Sequence, residues 1–301
     1  MGVRVRRTLH TGRAECTVRD QPKEGRTHAP GEAIMILAPV DYCRPASLDE
    51  ALEALNSSPE ARALAGGQSL INILKLRAAS VDLLVDISRL EELRSIVRSD
   101  DGSLEIGAGV TYAELAESDL LADDPTGIAG VAANTVDPQV RHRGTIGCNV
   151  CHADPINNFP PLMVALGATM HVLGPNGAHR DIPAEEFFTG FFTTAVEDGE
   201  LLKSITVPAL PDGAGVGFVD LEIGEAAARA VAVVRTEDDQ IAEARLVIGC
   251  LPAPVRRPEV EEALAGTAVD EEAVRAATAA AAEGVEPLSD ADATAEYRRP
   301  E

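Results

Sequence analysis

Apolar positions in this chain switch between helical and strand spacing, and the switches mark its elements. Leu48, Leu52 and Leu55 form a helical stripe behind Ser47-Leu48-Asp49-Glu50, a capping-box pattern, and predict a helix over Leu48–Leu55. Ala61–Ala65 reads as a short strand running into Gly66-Gly67-Gln68-Ser69. Ser69 is the expected cap of a helix over Leu70–Leu76, and Leu83–Ile87 is an apolar run suited to a buried strand. Together these segments predict a β-loop-helix-β unit.

Further on, Leu104–Ile106 predicts a strand, and Thr111-Tyr112-Ala113-Glu114 is a second capping box that opens a helix. Small and apolar residues from Thr126 to Ala133 predict another. Pro160-Pro161 suits the first turn of a helix over Leu162–Leu166, which Gly167 ends. Ala168–Leu173 and Ala178–Ile182 predict strands around the turn Pro175-Asn176-Gly177. A short helix Glu185–Phe188 and a strand Leu201–Val207 follow. Pro208–Gly217 reads as a linker. Beyond it, strands over Ala230–Arg235 and Ala242–Gly249 are expected, joined by a long connection through Thr236–Gln240. Helices over Glu259–Leu264 and Glu271–Ala282 complete a small antiparallel sheet with helices, an α+β layer.

Composition narrows the function classes. A chain of 301 residues suggests roughly two or three domains. Only 3% are aromatic and none is Trp, so the core must rest on aliphatic side chains. A net charge of −23 argues against nucleic-acid binding through a basic surface, and against attraction to anionic membranes. Among the basic residues only Lys23, Lys75 and Lys203 are lysines. An acid-rich, lysine-poor surface predicts a halophilic protein, kept soluble where salt screens carboxylate repulsion. A GC-rich genome explains the same Arg and Ala bias without salt. The cysteines Cys16, Cys43, Cys148, Cys151 and Cys250 are odd in number and scattered, which argues against a disulfide framework. No apolar run reaches membrane-spanning length, and the cytoplasm is the expected location.

Residues 1–34 differ from the rest, with seven Arg or Lys against four acids and no periodicity. Arg6-Arg7 is not followed by an apolar stretch and does not read as an export signal. A disordered, non-native extension is expected here, with the natural start near Met35.

Candidate chemistry gathers in two glycine-centred loops about eighty residues apart. They are Ala65-Gly66-Gly67-Gln68-Ser69 and Arg143-Gly144-Thr145-Ile146-Gly147-Cys148-Asn149. Glycine lets backbone N–H groups approach phosphate oxygens closely, and two such loops suggest a ligand with two phosphates. Thr145, Gly147 and Asn149 are expected as donors, and Asn157-Asn158 as hydrogen-bond partners of a ribose or ribityl hydroxyl. His152 and Asp154 have catalytic residue types, but Asp154-Pro155 also suits a plain turn and a structural role is expected for His152. Cys148-x-x-Cys151 has metal or redox spacing, yet no second pair completes a four-ligand set. No Ser-His-Asp order stands out.

Taken in order, several stretches carry a family resemblance. They are Tyr42-x-Arg44-Pro45-Ala46-Ser47-Leu48-Asp49-Glu50-Ala51, Ala65-Gly66-Gly67-Gln68-Ser69-Leu70, Ile106-Gly107-Ala108-Gly109-Val110-Thr111 and Asp137-Pro138-Gln139-Val140-Arg141. Arg143-Gly144-Thr145-Ile146-Gly147, His152-Ala153-Asp154-Pro155, Phe187-Phe188-Thr189-Gly190 and Gly199-Glu200-Leu201-Leu202 follow. From about Pro39 onward the chain resembles the FAD-binding medium subunit of molybdenum hydroxylases, the family of carbon monoxide dehydrogenase medium subunits and xanthine dehydrogenase flavin domains. The resemblance implies an α+β, PCMH-type FAD-binding fold of two subdomains, 35–95 and 96–210, plus a C-terminal α+β domain, 211–301. It implies FAD between the subdomains, with both glycine loops on its pyrophosphate. Its implied contacts are Ala65, Gly66, Gly67, Gln68, Ser69, Thr145, Ile146, Gly147, Cys148, Asn149, Asp154, Asn158 and Leu202. No catalytic residue and no metal site is implied for this chain. The implied partners are a small [2Fe–2S] subunit with two clusters and a large molybdopterin subunit that oxidises substrate. Electrons would pass from the clusters to FAD and on to an external acceptor.

The pattern also departs from the family. Cys148 stands where a second glycine is usual, Asn158 replaces an acidic residue, and Asp220 takes the place of a lysine near the flavin ring. The segment after Asp220 is shortened. These losses keep two alternatives open: a flavin-free scaffold paralogue, and a self-sufficient flavin oxidase of the related vanillyl-alcohol-oxidase type.

Overall fold

The computed structural model describes residues 15–17, 37–135, 137–223, 225–289 and 293–298. The first sheet is built by β1 (Glu15–Thr17), β2 (Asp41–Arg44), β3 (Ala61–Leu64) and β4 (Leu83–Asp86), with α1 (Leu48–Leu55) and α2 (Leu70–Lys75) between strands. Its order is β1-β2-β4-β3, with β4 parallel to both neighbours and β1 antiparallel to β2. All four residues of central β4 are buried, which is why that segment is nearly continuous in apolar residues. Leu48, Ala51, Leu52 and Leu55 of α1 close over Leu83 and Val85. Ser47 caps α1 by accepting from the Glu50 N–H, while the Glu50 carboxylate accepts from Ala46 N–H rather than Ser47 N–H. At the end of β4, Asp86 is held by Tyr42, Arg44 and Ser88. Burial alone would raise its pKa, but these hydrogen bonds outweigh burial and hold the carboxyl below its usual range.

Two expectations need correction here. Ser69 makes no side-chain cap bond: the Ile71 N–H already donates to Gly67 O, so Ser69 lies inside the first turn with φ −100° and ψ −57°. Glu15–Thr17, within the segment expected to be disordered, pair with Tyr42–Arg44. The remainder of 1–34 lies outside the described residues.

The second sheet contains β5 (Ile96–Arg98), β6 (Leu104–Gly107), β7 (Thr169–Leu173), β8 (His179–Pro183) and β11 (Leu201–Val207), all antiparallel, in the order β5-β6-β11-β7-β8. A small pair, β9 (Phe188–Gly190) and β10 (Thr193–Thr194), lies between β8 and β11 in sequence. The helices are α3 (Tyr112–Ala116), α4 (Ile128–Ala133), α5 (Pro138–Arg141), α6 (Ile146–His152), α7 (Phe159–Leu166) and α8 (Ala184–Phe187). Thr111 and Glu114 close the expected capping box on α3. All eight residues of α7 are buried, because the helix lies between α6 and the C-terminal sheet and has no solvent face.

The third sheet is a meander, β12 (Ala214–Ile223), β13 (Glu225–Glu237), β14 (Gln240–Gly249) and β15 (Val255–Arg256), with α9 (Pro258–Leu264), α10 (Glu271–Ala277) and α11 (Ala295–Arg298). The expected linker Pro208–Gly217 therefore ends early. Gly215 and Gly217 suggest flexibility, yet the alternate residues Val216 and Phe218 pack on the core and set a strand. The connection between β13 and β14 is short: Asp238 and Asp239, at φ 49° and 60°, form a two-residue turn suited to the strand twist. The helix expected to reach Ala282 stops at Ala277, where the Thr278 hydroxyl bonds back to Val274 O and the chain continues in tight turns.

One buried ion pair joins this sheet to the middle of the molecule. Arg229 on β13 stands opposite Asp220 on β12 and donates to both its carboxylate oxygens. Its third arm donates to the Ile156 carbonyl at 2.8 Å, and its plane covers the Phe218 ring. Breaking a buried pair leaves an uncompensated charge and costs about 3 kcal/mol or more. Arg229→Ala should lower the calorimetric melting temperature clearly, while Arg229→Met combined with Asp220→Leu should recover most of the loss. Equal melting temperatures for Arg229→Ala and the native chain would refute the role of this pair.

Candidate functional site

The two glycine loops meet. A Cβ built on Gly66 would lie 2.0 Å from the Arg143 carbonyl oxygen and 3.0 Å from Gly144 Cα, so only glycine permits the approach. The second loop is fixed from behind by the segment that runs from β6 into α3. Tyr112 N–H donates to Gly144 O, Ile146 N–H to Val110 O and Gly147 N–H to Ala108 O. Gly144 is in turn covered by the Tyr112 ring, 2.7 Å from where a Cβ would stand, and Gly147 by Ala108 at 2.5 Å.

The loops differ in what they offer a ligand. The N–H groups of Gly66, Gly67, Gln68 and Ser69 donate to nothing among the described residues. Gly67 sits at φ +74°, a left-handed conformation that turns this short run. The second loop was expected to donate through Thr145, Gly147 and Asn149. Gly147 N–H instead serves Ala108 O, and Asn149 uses its N–H on Thr145 O and its amide on Tyr112 OH. Thr145 accepts from Cys148 N–H through its hydroxyl, leaving its own N–H without a partner among the described residues. Cys148 lies in the first turn of α6 and outside the positive-φ set, so its backbone conformation does not call for glycine.

Beside the loops opens a cavity of about 270 Å³, room for part of a dinucleotide. Ala65, Ser69, Gly147, Cys148 and Leu202 line it, as do Arg62, Leu70, Ile73, Cys151 and His152. Leu70 and Ile73 escaped the sequence reading, although their i, i+3 spacing on a helix after the first loop was a usable signal. Among the described lining residues, Arg62 carries the one permanent positive charge. Burial pushes the Cys151 thiol up to about 12, with Cys148 adding to the effect, and raises Cys148 too. Burial also lowers His152, against the opposing pull of Asp154. The wall is therefore uncharged at neutral pH except for Arg62, suiting a ring system rather than acid–base chemistry.

Other expected contacts lie outside this lining. Ile146 is fully buried in the core. Asp154 shapes the turn it shares with Pro155, accepting from Ile156 N–H, and lines a separate crevice with Cys250. Asn158 donates to Thr135 Oγ1 at 3.0 Å, and Asn157 to Asn149 O. The Asn149 Oδ1 atom is buried without a hydrogen-bond partner among the described residues. Cys148 and Cys151 belong to no cluster of three metal-ligating side chains among the described residues.

The geometry fits a flavin dinucleotide: open N–H donors on a glycine turn for phosphate, an apolar cavity beside them, and an unpaired buried acceptor nearby. Comparison with known proteins agrees. Residues 38–210 match the model of the FAD binding domain in molybdopterin dehydrogenase, and residues 224–300 the CO dehydrogenase flavoprotein C-terminal domain. The chain is 39% identical to the carbon monoxide dehydrogenase medium chain of Afipia carboxidovorans, covering 88% of this chain and 93% of that one. It is 30% identical to the nicotine 6-hydroxylase medium subunit of Paenarthrobacter nicotinovorans, with the same coverage of 88% and 93%. A solved structure of carbon monoxide dehydrogenase from Hydrogenophaga pseudoflava superposes with a TM-score of 0.84 at 36% identity, covering 88% of this chain and 93% of that chain. The chain belongs to the family of FAD-binding medium subunits of molybdopterin-dependent dehydrogenases.

Proposed function

We propose that this chain is the electron-transfer flavoprotein subunit of a molybdopterin-dependent dehydrogenase of the carbon monoxide, aldehyde or xanthine type. The observation that carries the proposal is the run of open N–H donors from Gly66 to Ser69 beside the cavity under the second loop. Gly66, Gly67, Gln68 and Ser69 hold the pyrophosphate with Thr145 N–H, while Gly147 and Ile146 set the second loop against its support. Ala65, Cys148 and Leu202 form the wall beside it, and Arg62 adds positive charge at the same cavity. Asn149 offers its unpaired Oδ1 as an acceptor, and Asp154 and Asn158 act by shaping the loop below α6. FAD, when bound, supplies the redox chemistry, and the protein binds and orients it. The partners are a small subunit with two [2Fe–2S] clusters and a large molybdopterin subunit where substrate is oxidised. Electrons arrive from the clusters and leave to an external acceptor. The domain division is 35–95, 96–210 and 211–301. Among the described residues no helix is long and apolar enough to cross a membrane, and we place the protein in the cytoplasm.

The visible spectrum of the purified chain tests the proposal. A flavin band released by acid is the expected result. A spectrum without flavin at any salt concentration would favour the scaffold reading, and a band that survives acid precipitation would favour the oxidase. Gly67→Val is the discriminating variant, because a side chain at φ +74° meets Ile71 and Leu64 at 3.2 and 3.3 Å. Flavin content should fall at least tenfold with the circular dichroism spectrum retained. Undiminished flavin would remove the loop from the site.

The acidic surface generates a separate expectation. With −23 net charge, carboxylate repulsion should weaken as salt screens it, so melting temperature should climb between dilute buffer and molar potassium chloride. A melting temperature independent of salt would assign the composition to genome bias instead.

A further inference from the structure

The outer face of the β7–β8 hairpin carries three ligand-type side chains away from the flavin cavity. Antiparallel register sets His171 opposite Asp181 and Leu173 opposite His179. Residues two apart on a strand share a face, so His171, His179 and Asp181 project to the same side. One ligand atom from each lies within 4.8 Å of the others. An Asp181 carboxylate oxygen is 2.6 Å from His171 Nδ1 and 3.3 Å from His179 Nε2. The two imidazoles stack, with centroids 5.9 Å apart and planes inclined by 11°.

We propose that His171, His179 and Asp181 form a binding site for one late first-row divalent cation, with zinc as the reference ion. Two imidazole nitrogens and a carboxylate oxygen, with water in a fourth position, are a donor set such ions prefer. In a tetrahedral zinc site, adjacent nitrogen and oxygen ligands stand about 3.3 Å apart. His179 and Asp181 already have that separation, and the exposed Asp181 side chain can rotate to open its contact with His171.

A second contact supports the assignment. His171 Nε2 lies 2.7 Å from Thr206 Oγ1 on β11, so the ring is oriented from behind while Nδ1 faces the cluster. Metal-binding histidines are commonly fixed this way through their other nitrogen. In the tautomer with Nε2–H donating to Thr206, the Nδ1 lone pair is free for a cation held between it and the Asp181 carboxylate. The bound ion would cross-link β7 to the edge strand β8, and His171 would connect that link to β11.

Zinc titration of the full-length, chelator-stripped flavoprotein, followed by calorimetry and by metal analysis after dialysis, tests the site. One saturable equivalent is expected. His179→Ala and Asp181→Asn should each weaken it at least tenfold, with flavin content unchanged, while the exposed control His142→Ala should bind as the native chain does. Zinc should raise the melting temperature of the native chain and not of the two site variants. Weak, unsaturable uptake by the native chain, as an acidic surface alone would give, would overturn the proposal. So would undiminished affinity in both site variants.

Discussion

The backbone contact between Gly66 and the Arg143-Gly144 peptide is the constraint on which the site depends. It joins the first sheet's loop to a segment anchored by the second sheet, at a separation no side chain allows. The anchoring is unequal. The second loop is fastened to Val110, Ala108 and the Tyr112 N–H, all on one stretch of chain after β6. The first loop leans on this fixed surface and keeps its own donors open. A rigid support with a polar turn resting on it is what binding a diphosphate requires, since donors that need no reordering lose little entropy when the ligand arrives.

This division of labour also accounts for Cys148. If both loops had to present N–H groups through strained turns, a cysteine in place of glycine would be damaging. The second loop is instead the beginning of a helix, its amides occupied except that of Thr145, and any L residue can adopt that backbone. The cysteine then adds a small, uncharged side chain to the cavity wall. Its burial disfavours the thiolate, which leaves Cys148-x-x-Cys151 as packing rather than as a reactive pair.

How much of this was legible in the sequence follows from the range of the forces involved. Local rules served well: the α1 stripe, the Thr111–Glu114 box and the Gly167 stop are each decided by neighbours within a turn. Long-range pairing was harder to see. The β12 strand looks like a linker because its glycines face away from the core, and only pairing with β13 reveals the alternation of Val216 and Phe218. Asp238-Asp239 reads as part of a polar loop, although both residues occupy the left-handed turn that lets β13 and β14 extend to their ends. The glycine loops were visible as a pair, but which one holds open donors was not, because that depends on partners at Ala108 and Val110.

Asp220 shows the same limit for electrostatics. Considered in the sequence alone, Asp220 counts against cofactor binding, because the resemblance leads one to expect a lysine there. In the fold, Asp220 faces Arg229 across one strand pair, and the guanidinium answers both carboxylate oxygens. The cation that answers Asp220 stands on the neighbouring strand. From there it reaches Ile156, in the loop that also carries Asp154 and Asn158. Its charge acts on the loop's position through the Ile156 carbonyl. Because Arg229 is buried and shared among a carboxylate, a carbonyl and the Phe218 ring, it cannot reorient without breaking several contacts at once. Asp220 and Arg229 together therefore act as a fixed brace between the C-terminal sheet and the loop that carries Asp154 and Asn158.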